Sequence, residues 1–190
     1  MEERALSTLK VILTERGLTG ENFETVSSTI DETKMYTFGG ILIIFSTKAR
    51  ISEKDLNMFI EYASENRYSN GMIIVGLSRP SETVLNALRN HVNQPDVPLV
   101  QLFEIRHLQM QYGRHVKVPK HRIVATSELE GILKATNAKT PTVFRKIDSQ
   151  DPMAKWTGAR PGDVLEVTGM CETSVENKRY LFCMADVTNG

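Results

Sequence analysis

Three short apolar runs limit what the first half of this chain can become: Ile41-Leu-Ile-Ile-Phe45, Gly71-Met-Ile-Ile-Val-Gly76 and Pro98-Leu-Val-Gln-Leu-Phe103. Their length and β-branching predict strands, and the lack of polar alternation predicts strands covered on both faces. The intervals between them have helical periodicity. Ser52 offers a capping oxygen, Asp55 stands three residues on, and Leu56, Phe59, Ile60 and Ala63 follow on one stripe. Ser81 to Val92 repeats the pattern with Val84, Leu85, Leu88 and Val92. Strand, helix, strand, helix, strand at such short intervals predicts parallel pairing, because parallel neighbours need a crossover and a helix makes it compactly. A small α/β sandwich is expected. Ahead of it, Ala5 to Gly17 predicts a short amphipathic helix with Leu6, Leu9, Ile12 and Leu13 along one stripe and Gly17 as its stop. The Thr- and Ser-rich stretch from Thr19 to Thr37 fits either strand or loop.

The pattern changes near Gly113, which predicts one domain over 1–113 and another over 114–190. From His115 to Lys146 seven Lys or Arg face two acids, Glu128 and Glu130, and no buried strand run appears. Ser127-Glu-Leu-Glu130 has the spacing of a capping box, with Leu129, Ile132 and Leu133 as the apolar face of the helix it would open. Asp151-Pro152 places a capping acid before a proline at the first helical position, and Gly158 terminates one or two turns. Pro161-Gly162 signals a turn, and Asp163–Thr168 and Arg179–Ala185 read as strands of an antiparallel hairpin. The second half is expected to be a small α+β unit. At about 75 residues it is marginal alone, so an apolar face that docks on a larger partner is physically sensible.

The chemistry that an α/β domain invites is largely missing. Gly39-Gly40 precedes its strand, and neither a G-x-G-x-x-G nor a G-x-x-x-x-G-K loop follows any strand, which argues against nucleotide binding by those routes. Ile41–Phe45 and Met72–Val75 contain no carboxylate or lysine with which a nuclease of this architecture could grip Mg²⁺. His91, His107, His115 and His121 form no metal pair at helical spacing, and Cys171 and Cys183 read as small buried thiols of a reducing, intracellular environment. No metal or other cofactor is expected. No 18-residue apolar run predicts a membrane span. With 23 basic and 23 acidic side chains and a pI near 6.9, contact with nucleic acid is expected to be auxiliary. Arg79-Pro80-Ser81-Glu82 follows a strand and opens a helix, so its free amides and Arg79 suit a phosphate, while Glu82 opposes one; a plain helix start explains the same residues. Trp156 reads as core filler or as an interface anchor.

His115-Val-Lys-Val-Pro119-Lys-His121 resembles the H-x-L-V-P-x-H segment that opens the assembly domain of the fifth-largest subunit of eukaryotic-type RNA polymerases and of its small archaeal counterpart, the H-type subunit. Asp151-Pro152-Met-Ala-Lys-Trp-Thr-Gly158-Ala-Arg160-Pro-Gly162-Asp163-Val164 is similar to that family's D-P-x-A-R-x-x-G-x-K/R-x-G-D/Q-V, and Glu172-Thr173 falls where its R-P-S-E-T ends. The order and spacing hold over about 75 residues. More loosely, Glu65-Asn-Arg running into Gly71–Val75 and then Pro80-Ser81 is similar to the eukaryotic jaw domain with its T-P-S loop, a domain that the archaeal counterpart lacks.

The resemblance implies a non-catalytic subunit of a multisubunit DNA-directed RNA polymerase whose active site lies in other subunits. It implies an α/β N-terminal jaw domain, truncated and nuclease-like, and an α+β assembly domain that docks on the largest subunit among the other core subunits. The jaw would lie near downstream double-stranded DNA, with Arg79, Pro80 and Ser81 as its contacts, which turns the helix-start residues toward the phosphate reading. The framework carried over is Pro119, His121, Asp151, Pro152, Gly158, Arg160, Gly162, Glu172 and Thr173. The expected location is the nucleus for a cellular protein, and the host cell or virion for a viral one. Gly169, Met170 and Cys171 replace the family's Arg-Pro-Ser, and Cys183-Met184 its usual Tyr-Arg, so arginine bonds to a partner at those places are lost. Two rivals stand beside this reading: a Mg²⁺-dependent nuclease-like enzyme and a free-standing transcription adaptor.

Overall fold

In the computed structural model, residues 1–28, 30–68, 70–94, 97–171 and 174–185 are described. They divide into two compact units, Met1–Gln111 and Tyr112–Gly190.

The first unit is built on a five-stranded sheet in the order β1 (Glu24–Val26), β2 (Thr33–Phe38), β3 (Ile41–Ser46), β4 (Met72–Gly76), β5 (Val100–Glu104). The three apolar runs are its parallel strands, with Ile43 opposite Ile73 and Ile73 opposite Gln101, and every residue of β3 and β4 is buried. Two helices cross between them. In α2 (Glu53–Glu65) the Ser52 hydroxyl accepts from the Asp55 amide while the Asp55 carboxylate accepts from the Ser52 amide, a reciprocal cap. In α3 (Glu82–Val92) Ser81 caps the Val84 amide. Leu56, Phe59, Val84 and Leu88 pack with Leu42, Ile44, Ile74 and Leu102. Alternation along the strands turns Ile43, Ile73 and Gln101 to the opposite face. There α1 (Glu2–Glu15) lies, with Arg16 donating to Gln101 at 2.7 Å and Glu2 accepting from Tyr36 at 2.7 Å.

Two details differ from the expectation. The sheet is mixed, because β2 pairs antiparallel with β3 through the Gly39-Gly40 turn. Both glycines have positive φ, 56° and 80°, the backbone of a tight hairpin turn that side chains resist. Helix α1 begins at Glu2 and buries Ala5 and Thr8, while Leu6 is only half-buried.

The second unit has a four-stranded sheet in the order β6 (Lys120–Ile123), β8 (Val164–Cys171), β9 (Ser174–Met184), β7 (Arg145–Asp148). The antiparallel hairpin β8–β9 is its centre, β6 adds antiparallel to β8, and β7 adds parallel to β9. Helix α5 (Pro152–Thr157) covers one face, where Ala154 and Ala159 meet Ile147, Leu165 and Cys183. Helix α4 (Thr126–Ala135) corrects the sequence reading. It starts one residue earlier than Ser127, after Ala125, without a side-chain cap, and buries none of its residues. The acids of the expected box are drawn to cations instead, Glu128 to Arg122 at 2.8 Å and Glu130 to Lys134 at 2.7 Å.

Candidate functional site

The motif from Asp151 to Asp163 builds one corner of the second unit. The Asp151 carboxylate accepts from the Met153 amide at 2.8 Å, and Pro152, at the first helical position, has no amide to satisfy. Tyr112 donates to the Pro152 carbonyl at 3.1 Å. At the other end Gly158 takes the left-handed conformation, φ 78°, and the Gly158 and Ala159 amides both reach the Ala154 carbonyl at 3.0 Å. The chain then turns into β8: the Arg160 amide donates to the Asp163 carboxylate at 2.7 Å, and the Gly162 amide to the Cys183 carbonyl at 2.9 Å. Burial pushes the Asp163 carboxyl up, against the pull of the Arg160 amide and charge. Cys183 is fully buried, and desolvation followed by the charges of Asp163, Asp148 and Asp151 pushes its thiol up to about 12. It is a packed thiol with little thiolate at neutral pH. Glu172 and Thr173 lie outside the described residues, as does the side chain of Cys171.

Pro119 precedes β6, and the His121 ring nitrogen Nδ1 lies 2.8 Å from the Pro119 carbonyl. The structure brings Pro119, His121 and Asp151 to the wall of one groove of about 800 Å³. Arg160, exposed, and the backbone-shaping Gly158 and Gly162 stand apart from that groove at the corner between α5 and β8.

Sequence reasoning passes over Arg122, whose partners become visible only once β6 is paired with β8. Its guanidinium grips both oxygens of Glu166, at 3.0 and 3.1 Å, and one oxygen of Glu128. The Glu166 side chain is 7% exposed; the hydrogen bonds from Arg122 hold its carboxyl below the usual range despite burial. Arg122→Ala is expected to cost about 1–2 kcal/mol, because Glu166 loses both guanidinium hydrogen bonds and keeps the Tyr180 hydroxyl and the Lys178 ammonium at 3.8 Å, while Arg122 itself is half-exposed. Denaturant unfolding of the variant against Arg122→Lys measures it. Equal stability of the alanine variant and the wild type would show that the fork contributes nothing.

In the first unit, Arg79 and Ser81 are exposed and Pro80 half-buried, in the loop between β4 and α3. They line a groove of about 510 Å³ together with Arg50, Ser52, Thr83 and the carboxylate of Glu53, which opposes an anion there. Parallel strands β3 and β4 end side by side, so the starts of α2 and α3 are neighbours here, and Ser78 bonds across to the Ala49 carbonyl at 2.5 Å. Glu82, which the sequence sets against an anion, pairs with Arg89 at 2.9 Å. Sequence reasoning misses Arg50, although it precedes the Ser52 cap much as Arg79 precedes Ser81.

Residues 110–183 match the family model for the RNA polymerase Rpb5, C-terminal domain. The DNA-directed RNA polymerase subunit Rpo5 of Aeropyrum pernix is 38% identical over 71 residues, 37% of this chain and 78% of that protein. The subunit of the same name from Nitrosopumilus maritimus is 37% identical over 68 residues, 36% of this chain and 81% of that protein. Subunit 5B of DNA-directed RNA polymerases IV and V from Arabidopsis thaliana is 33% identical over 81 residues, 43% of this chain and 37% of that protein. With most of an archaeal relative's length covered at that identity, the chain belongs to the Rpo5 and Rpb5 family of DNA-directed RNA polymerase subunits.

Proposed function

We propose that this chain works as a non-catalytic subunit of a multisubunit DNA-directed RNA polymerase, its second unit serving as an assembly domain that docks on the largest subunit. The observation that carries the reading is the family match over residues 110–183 together with archaeal relatives covered to 78% and 81% of their length. The active site lies in other subunits, and the protein works wherever that polymerase transcribes, the nucleus for a cellular enzyme and the host cell for a viral one. A tagged chain is expected to co-purify with the largest polymerase subunit in a particle of several hundred kilodaltons. A chain recovered alone or in a small complex would favour the adaptor instead. Mg²⁺-dependent DNA cleavage by the purified chain would favour the nuclease.

The first unit is proposed to be the jaw, a truncated nuclease-like domain beside downstream double-stranded DNA. Arg79, Pro80 and Ser81 face the phosphates, and Arg50 joins them. Support comes from the groove they share with two helix starts and from the absence of carboxylate in β3 and β4. The unit's overall charge does not help, since Met1–Gln111 has 11 Lys or Arg against 14 Asp or Glu. Attraction must therefore be local and slight, and the isolated chain is expected not to hold DNA at physiological salt. In the assembled polymerase, one or two phosphate contacts correspond to a logarithmic salt slope of about −1 to −2. Arg50→Ala with Arg79→Ala is expected to remove that slope from the binding of downstream duplex. An unaltered slope would leave the jaw with a structural role only.

A further inference from the structure

The large groove of the second unit has walls of two kinds. Its apolar surface comes from Pro119, Val143, Phe144, Met153, Val167 and Leu181, and Val143 is 68% exposed. Around this surface stand Arg145, Lys146, Lys178 and Arg179, with Asp151 as the one carboxylate among the lining residues described. Asp151 is already engaged with the Met153 amide. Arg145, Lys146 and Arg179 form no ion pair with any described residue, and all three are exposed. Strand register explains the crowding. Arg145 lies opposite Leu181, and Arg179 is two residues from Leu181 and opposite Val167, so both guanidinium groups rise from one face of the sheet beside apolar neighbours.

Cations that outnumber their counter-charge repel one another, and an apolar groove left in water forgoes the stabilisation of burial. One occupant relieves both. We propose that this groove receives an acidic, apolar, extended segment of a neighbouring polymerase subunit, its aliphatic side chains on the floor and its carboxylates against Arg145 and Arg179. A nucleic acid would also meet the charge, but the floor is mostly aliphatic. The Phe144 and Tyr180 rings lie 5.6 Å apart, inclined by 37°, and are packed on each other rather than free to stack on bases. The arrangement of charged rim around apolar floor is that of a protein interface.

The inference rests on the reading of the chain as a polymerase subunit, and the test separates the two. The photoreactive residue benzoylphenylalanine is placed at Val143 in the full chain within the assembled polymerase, with a control at Val116, which is 99% exposed and outside the groove. Position 143 is expected to cross-link to a peptide of another polymerase subunit in which Asp and Glu outnumber Lys and Arg, and position 116 is not. No cross-link from 143, or one to nucleic acid, to a basic or neutral segment, to a second copy or to another part of this chain, overturns the proposal. Arg145→Glu with Arg179→Glu is expected to weaken retention on the polymerase about tenfold or more, while Arg145→Lys with Arg179→Lys stays within about twofold. Unchanged circular dichroism of both doubles shows that they fold; equal retention of the Glu double and the wild type overturns the charge argument. If the wild-type chain fails to co-purify with a polymerase, both readings fall. If it co-purifies and position 143 stays silent, only this one does.

Discussion

Replacing Trp156 with alanine is expected to destabilise the second unit by about 3–5 kcal/mol, most of what a domain of this size possesses. The reason lies in how little else the unit buries. Its core cluster is Ile147, Ala154, Ala159, Leu165 and Cys183, Val124, Val164 and Val167 are buried besides, and the indole, 4% exposed, is the largest side chain buried among the described residues of the unit. That burial within the chain itself gives Trp156 a core role. Tyr112 meets the indole edge to face, with ring centroids 4.8 Å apart. Gly113 lets the backbone pass directly against it: a Cβ added there would sit 2.3 Å from the indole Cε2. Gly113→Ala is therefore expected to displace the ring and cost about 1–3 kcal/mol as overpacking. Because the chain has a single tryptophan, the fluorescence of Gly113→Ala reports on the second unit alone, while circular dichroism follows both units and serves Trp156→Ala. A loss below about 1 kcal/mol for Trp156→Ala would show that burying the indole does not hold the unit together.

The same pair shows which parts of the fold the sequence reveals. Residues that act on their own backbone are legible: Ser52, Ser81, Asp151, Pro152 and Gly158 each end or begin a helix where their chemistry requires it. So are runs buried on both faces, since Ile41–Phe45 needs no knowledge of its neighbours to read as a strand. What stays hidden depends on distant partners. Thr33–Phe38 is held by pairing with β3, and its own alternation is too weak to announce a strand, although Gly39-Gly40 is a hairpin signal in plain view. Arg145–Asp148 is likewise a strand because β9 lies beside it. Glu128 and Glu130 look like capping residues until Arg122 and Lys134 claim them. At the sites the division is the same. Motif spacing locates Pro119, His121 and Asp151, but not that they share one groove; that follows from the packing of α5 beside β6. Gly113 reads as a boundary, and its close approach to Trp156 lies in three dimensions only.

Asp55 offers the clearest pH-dependent test in the first unit. Burial alone would raise its carboxyl. The hydrogen bonds from Lys48 and from the Ser52 hydroxyl and amide, with the Lys48 charge, together outweigh burial and bring it from 3.8 to about 2. The Asp55 side chain is 12% exposed, so solvent screens these bonds little. A carboxyl that ionises more readily in the folded than in the unfolded state stabilises the fold above its unfolded value. That contribution, about 2 kcal/mol at most, is complete above roughly pH 5 and disappears as the pH falls from about 4 through 2. Asp55→Asn keeps the shape and one acceptor but loses the charge that Lys48 and the start of α2 hold in place. At pH 7 it is expected to be roughly 1–2 kcal/mol less stable than the wild type, and most of the gap should close by pH 2, where the unfolded Asp55 carboxyl is protonated and the folded one about half so. Denaturant unfolding of the two proteins at pH 7, 4 and 2 reads the gap directly, since all other titrating groups are common to both. A gap that stays constant across the range would mean that the cap acts through its hydrogen bonds alone, and that the ionic link between Lys48 and Asp55 stabilises nothing.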